Sequence, residues 1–237
     1  TSKKVKDELV GMGVPAEKIH IIHNAIEDYW FESQRTVTIE PPHLVFLGRL
    51  GNDVFTLKLK GLCRLVSFYR AFPDVPKTTI CMTTNRKLKE WLRVAFPKHH
   101  MYVNLRKDLI PGALAPLFGS ILFISSRYEG FSLSLVEGMS QGLVPISFSV
   151  GVAPEIIRNG ENGFIVSTEK EAEMCAQQLL SDTEMRLRMA VEAKKTAEKF
   201  CSARIANDLL NLYRSIKEDR RRKNKNRNLP ETNPLVI

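Results

Sequence analysis

The sequence predicts an α/β protein with a doubly wound, Rossmann-like parallel sheet, and three observations predict it. Six short apolar runs recur along the 237 residues, at 44–47, 79–82, 101–103, 121–124, 144–148 and 164–166. Helical patterns lie between them: 61–71 sets Leu62, Leu65, Val66 and Tyr69 on one face, and 86–96 does the same with Leu88, Trp91, Leu92 and Ala95. Alternating strand and helix implies a parallel sheet covered on both faces. Finally, Gly48–Arg49 and residues 127–130 stand directly after apolar runs, at the strand ends where such sheets bind ligands.

Each element has its own justification. The run 44–47 ends in Gly48–Arg49, so a guanidinium follows a strand and a glycine. The run 121–124 leads into SSRYEGFSLSLVEGMSQGLVPI, residues 125–146. There the order is strand, Glu129, glycine turn, helix start, Glu137. A helix N-terminus offers unpaired N–H groups and partial positive charge, which suits an anion. Carboxylates are poor phosphate ligands but accept hydrogen bonds well from sugar hydroxyls. Phosphate on amides and hydroxyls on carboxylates describe a nucleotide sugar; an acidic loop with a solvated helix glutamate is the plain alternative for the pair taken alone. Asn159–Gly160 and Asn162–Gly163 are turn signals before the run 164–166. The last third is helical, near 169–180, 183–199 and 203–218, with capping boxes at Thr168/Glu171 and Ser181/Glu184.

Segment 129–146 resembles the signature of the family 4 retaining glycosyltransferases of the GT-B fold, roughly EGFG-x-x-x-x-EA-x-x-x-G-x-PVI. Here it stands as EGFSLSLVEGMSQGLVPI, with Ser132 at the usual glycine and Gly138 at the usual alanine. Further segments extend the likeness from about residue 3 to 213. GVPAEKIHIIHNAIEDYWF, residues 13–31, is similar to the family's linker, with Ala25 at a usual glycine, and SVGVAPEIIRNGENGFIV, 149–166, is similar to its Pro-Glu segment. The resemblance implies one half of a GT-B fold, the C-terminal donor-binding half. In that half Gly48, Arg49 and a Lys-Gly lysine would hold the donor phosphates; Lys60 fits best, with Lys58 as its rival. Glu129 would contact the donor sugar and Glu137 the ribose, while the amides of Gly130, Phe131, Ser132 and Leu133 would face sugar and diphosphate. Arg49, Lys60 and Glu129 would be the catalytic set. Asn104 and Leu105, followed by Arg106, occupy the base-binding loop, although the glycine expected there is missing. Glu155 has two readings, donor contact or helix cap.

The domain division expected is an interdomain linker with a first helix at 1–31, the nucleotide-sugar-binding domain at 32–217, and a basic, disordered tail at 218–237. An N-terminal acceptor-binding domain is the expected partner. The function implied is retaining transfer of a sugar from a nucleotide diphosphate sugar to a glycan or lipid-linked acceptor, as in polysaccharide biosynthesis, with the isolated domain inactive. A non-catalytic nucleotide-sugar-binding subunit and a GT-B sugar-nucleotide epimerase are the alternatives. A dehydrogenase is disfavoured because no G-x-G-x-x-G follows the first strand.

Composition bounds these readings. Hydrophobic residues make up 43% of the chain, and no apolar run approaches the ~20 residues that span a bilayer. Cys63, Cys81, Cys175 and Cys201 are widely spaced, without zinc-ligand pairing, and suit a reducing cytosol. With no D-x-D motif, and His99–His100 lacking a carboxylate partner, neither cofactor nor metal is expected. Net charge is +9, but residues 214–227 hold eight basic and two acidic residues, +6 of that total. Charge so concentrated argues against nucleic acid. It reads as a solvated helix end or as docking to an anionic membrane surface, so the expected location is cytoplasmic or peripheral at the membrane.

Overall fold

A computed structural model describes residues 2–32, 41–96 and 98–227. The chain opens with α1 (Lys3–Gly11) and the short α2 (Tyr29–Glu32), then enters β1 (Leu44–Arg49). Next come α3 (Val54–Leu59), α4 (Leu62–Ala71), β2 (Lys77–Met82), α5 (Arg86–Ala95), β3 (His99–Val103), α6 (Ile110–Leu114) and β4 (Ile121–Ile124). They are followed by α7 (Leu133–Ser140), β5 (Val144–Phe148), α8 (Ala153–Ile156), β6 (Phe164–Val166), α9 (Glu169–Ser181), α10 (Thr183–Ala197) and α11 (Ser202–Arg227). The six strands form one sheet in the order β3-β2-β1-β4-β5-β6, with every pair parallel.

The strand order reverses between β1 and β4, and this is the point where doubly wound sheets open a crevice. The register shows how it opens. β1 pairs with β2 along its whole length, to Arg49↔Met82. With β4 it pairs only through Leu44↔Ile121 and Val45↔Leu122. The two strands therefore part before their carboxyl ends.

Both faces of the sheet are covered. Phe68 of α4 stacks on Phe123 of β4, ring centroids 4.0 Å apart. On the other face α7 approaches so closely that a Cβ on Gly138 would lie 2.5 Å from Leu122 Cδ2. A side chain at 138 would therefore have to displace that of Leu122. The segment before β1 is tied to the rest of the chain: Ile26 N–H donates to Phe200 O at 3.0 Å, and Gln141 Nε2, at the end of α7, donates to the carbonyl of buried Trp30 at 2.6 Å.

Several expectations need correction. Strands β2 and β3 begin two residues before the apolar runs that mark them, which puts His99 and His100 on β3. Trp91, placed on a buried helix face, is 43% exposed; Leu88 and Leu92 carry that face. The cap of α10 is Asp182, whose carboxylate accepts from Met185 N at 2.8 Å, while Ser181 ends α9. Helix α11 runs to Arg227 instead of stopping near 218, because its lysines and arginines are good helix formers and neither glycine nor proline interrupts it. The remainder of the proposed tail lies outside the described residues. No helix among the described residues is long and apolar enough to cross a membrane.

One glycine links the two halves of the crevice. Gly61 has φ +66, and a Cβ there would sit 1.8 Å from Ser125 O. Gly61→Ala is expected to cost about 3 kcal/mol or more in urea unfolding, because backbone must move. Gly160→Ala has a similar φ of +79 but open space around it, and should cost only about 1–2 kcal/mol. Equal losses in the two variants would show that the close approach at Gly61 is unimportant.

Candidate functional site

The site assembles where β1 and β4 part. From β1, Gly48 and Arg49 reach the crevice; Arg49 is exposed and has no ion-pair partner among the described residues. Residues 51–60, which lengthen the route from Arg49 to the Lys-Gly pair, fold as α3. Asp53 caps that helix by accepting from Thr56 N at 2.8 Å. The helix ends at Leu59 and makes Lys60 its C-cap. Lys58 falls on the exposed side of its last turn, outside the cavity, whereas Lys60 lines it.

The loop after β4 is docked onto this corner. Arg127 N–H donates to Leu59 O at 2.8 Å, and Ser125 Oγ donates to Lys60 O at 2.8 Å. Lys60 Nζ then meets Glu129 Oε1 at 2.6 Å, and Ser126 Oγ donates to the same carboxylate oxygen at 2.7 Å. Charge-assisted bonds of this length hold Glu129 in one orientation.

Beyond Glu129 the turn is fixed by its carbonyls. Gly130 O accepts from Ser2 Oγ at 2.7 Å, and Phe131 O accepts from Val152 N–H at 2.8 Å. Gly151, with φ +52, passes so near Phe131 O that a Cβ would stand 2.3 Å away. Ser132 takes the left-handed conformation, φ 82 and ψ 73, which a glycine at this place would adopt freely. It contributes no side-chain cap to α7, so the first amides of that helix are left to whatever enters the crevice.

Glu137 lies one turn inside α7 and is partly buried. Its carboxyl is pushed up to about 7, chiefly by desolvation and then by the charge of Glu27, with Lys107 opposing. On the far side, Asn104 adopts φ 55, a region that asparagine tolerates better than most residues. Its side chain accepts from Thr83 N at 2.9 Å and donates to Thr83 O at 3.0 Å, so it shapes the loop. Arg106 turns outward to pair with Asp108.

A cavity of about 420 Å³ gathers Gly48, Arg49, Lys60, Asn104, Leu105, Glu129, Phe131, Ser132, Leu133 and Glu137. Of the sequence candidates, Gly130, Lys58, Arg106 and Glu155 stay off its wall. Asn24, Lys107 and Ser134 line it as well and were missed. Asn24 sits in the linker segment, and Lys107 follows the base-loop residues, so position in those motifs was the available signal. Ile80, Cys81 and Met82, at the carboxyl end of β2, also contribute. Glu155 is outside the cavity: its carboxylate accepts from Lys3 N at 2.6 Å and faces His23 Nε2 at 3.2 Å, capping α1. Among the described residues no group of three or more His, Cys, Asp or Glu side chains is placed to hold a metal ion.

The raised pKa of Glu137 makes a stability prediction. An acid whose folded value lies above its unfolded 4.5 stabilises the fold most below 4.5, and that contribution is lost as pH rises through about 7. Glu137→Gln should therefore match the wild type near pH 4 and exceed it at pH 8, by up to about 3 kcal/mol. Urea unfolding across pH measures this; a Gln variant less stable at pH 8 would contradict it.

Comparison with known proteins bears on the fold. Residues 84–196 match the family model described as Glycosyl transferases group 1. A probable sucrose-phosphate synthase of Thermosipho melanesiensis is 34% identical over 215 residues, covering 80% of this chain and 50% of that protein. An N-acetyl-alpha-D-glucosaminyl L-malate synthase of Bacillus anthracis is 29% identical over 117 residues, covering 48% and 30%. The chain thus spans half or less of the length of these relatives. Among solved structures, Anabaena HepE in complex with UDP-glucose superposes with a TM-score of 0.73 at 19% identity, over 90% of this chain and 62% of that one. The C-terminal domain of a Francisella tularensis glycosyl transferase group 1 protein gives a TM-score of 0.53 at 20% identity, covering 76% and 95%. Residues 84–196 are therefore a glycosyl transferase group 1 domain, set in one Rossmann-like half of a GT-B fold.

Proposed function

We propose that this chain is the donor-binding half of a retaining glycosyltransferase that moves a sugar from a nucleotide diphosphate sugar to a glycan or lipid-linked acceptor. One observation carries the reading: Arg49, Lys60, Glu129, Glu137 and the start of α7 converge on one cavity at the switch point of the sheet. Cations and helix amides suit a diphosphate, and the two carboxylates suit hydroxyls. Asn104 and Leu105 would meet the base, Glu137 the ribose and Glu129 the sugar. That HepE is described with UDP-glucose supports the ligand class.

In this reading the Lys60–Glu129 pair is a resting arrangement. When the donor enters, Lys60 Nζ turns to a phosphate oxygen and frees Glu129 to accept from sugar hydroxyls. Negative charge grows on the diphosphate as the sugar departs. Arg49, Lys60 and the α7 amides are positioned beforehand to stabilise it, which is commonly the largest catalytic term. The binding needs no metal, since these groups supply the positive charge. The acceptor wall would come from a second GT-B half.

Nucleoside diphosphates are expected to stabilise the chain with chelator present, by about 2.7 kcal/mol at 100 times the dissociation constant. Complete dependence on magnesium or manganese would refute the metal-free site. Glu137→Ala should weaken the free diphosphate, whereas Glu129→Ala should mainly weaken the full sugar donor, each by roughly 1.5–3 kcal/mol. Calorimetry with both ligands separates the roles, and equal losses throughout would overturn them. A product assay on the chain alone should show no efficient transfer; rapid turnover would show that no second half is needed.

A further inference from the structure

Helix α5 has two faces of different chemistry. It links β2 to the edge strand β3, and Leu88 and Leu92 are buried against the rest of the fold. The opposite face carries Lys87, Trp91 and Val94 in one row, at i, i+4 and i+7, with Arg86, Glu90 and Arg93 in the row beside it. All six are exposed, and Val94, at 85%, is the most exposed large apolar residue described. Trp91 meets the Phe96 ring edge-on, centroids 6.3 Å apart, and still remains largely open to water. Lys98, just past the helix, is exposed as well. None of the cations Arg86, Lys87, Arg93 and Lys98 has an ion-pair partner among the described residues.

Charge is gathered here. Residues 86–98 hold five cations, half-buried Lys89 among them, and one acid, net +4. With +6 in 214–227 and +9 in the whole chain, everything else carries −1. A single exposed apolar residue calls for no partner. A tryptophan and a valine in one row, edged by unpaired cations, fit the interface of an anionic bilayer. There an indole sits at headgroup depth, an aliphatic group reaches the acyl boundary, and lysine and arginine stems lie along apolar surface with their charges among lipid phosphates. A second copy of the chain would bring +4 against +4. A nucleic acid would satisfy the cations but offer its phosphates nothing from Val94.

We propose that the outer face of α5 docks this protein on an anionic membrane surface, with Trp91 and Val94 in the lipid interface and Arg86, Lys87, Arg93 and Lys98 on the lipid phosphates. The face is separate from the basic terminal run of α11. None of its residues lines the cavity, so the inference stands apart from the donor reading.

The test is vesicle binding by the full chain, read by tryptophan emission and cosedimentation. The chain has two tryptophans and Trp30 is buried, so a solvent-dependent shift reports Trp91. Vesicles of phosphatidylglycerol and phosphatidylcholine in equal parts should move the emission to the blue and carry the chain down. Vesicles of phosphatidylcholine alone should do neither. Lys87→Gln with Arg93→Gln should lower partitioning about twenty-five-fold, since each cation near such a surface is worth roughly five-fold. Both side chains are exposed and unpaired, so this variant should melt with the wild type, which separates lost docking from lost folding. Trp91→Ser with Val94→Ser should lower partitioning by about ten-fold. No blue shift on the anionic vesicles would overturn the inference, as would equal binding to phosphatidylcholine alone. So would undiminished binding by the charge variant; if Lys217→Gln with Arg221→Gln then abolished it, the docking face would be α11. A blue shift with a single-stranded oligonucleotide but not with vesicles would also overturn it and make the face a nucleic-acid surface.

Discussion

The site depends on one backbone approach, that of Gly61 to Ser125. β1 and β4 are neighbours for only two residue pairs, so hydrogen bonding between them does not fix the loops at their carboxyl ends. That task passes to the corner at 59–61 lying against the loop at 125–127. Two bonds to the carbonyls of Leu59 and Lys60 close the contact, and it can close only because position 61 has no side chain. The ion pair between Lys60 and Glu129 is a consequence of that docking. A lysine delivered by the β1 side and a glutamate delivered by the β4 side meet because their backbones already do.

The turn from Glu129 to Ser132 is braced from several directions. Lys60 and Ser126 hold the carboxylate, Ser2 holds Gly130 O, and Val152 with Gly151 holds Phe131 O. His23 packs near both Phe131 and Phe200, ring centroids 5.9 and 5.6 Å away, and ties the linker to the same corner through Glu155. Facing the cavity are Arg49, which has no ion-pair partner among the described residues, and the start of α7, which has no side-chain cap. Such a division, rigid support behind and unsatisfied groups in front, is what preorganised binding requires. Glu137 adds a tension. Desolvation disfavours its charged form, so a ligand that donates hydrogen bonds to it would relieve a cost already present.

Much of this was legible in the sequence, for physical reasons that differ by element. The buried central strands are short apolar runs, and β4, β5 and β6 coincide with them because nothing polar inside them obscures the signal. β2 and β3 begin earlier, at Lys77 and His99, because pairing extends strands beyond their apolar centres. Lys60 could not be chosen over Lys58 by spacing, since only the fold of 51–60 into α3 settles which ammonium enters the crevice. The conformations of Ser132 and Asn104 were hidden because neither residue type signals a positive φ as a glycine would. Asp182 outcompeted Ser181 as a cap once α9 ran through Ser181. Of the two readings of Glu155, helix cap is the one the structure shows, but which helix it caps was hidden because its partners, Lys3 and His23, lie more than 130 positions away in the chain.

A crystal structure of this chain with a bound nucleoside diphosphate, grown with chelator, would test the central claim most directly. The account predicts phosphate oxygens within hydrogen-bonding distance of the first amides of α7, Lys60 Nζ turned from Glu129 towards a phosphate, and Gly61 still seated on Ser125. A diphosphate bound elsewhere, or one held at this cavity while the Lys60–Glu129 pair stays closed, would contradict it.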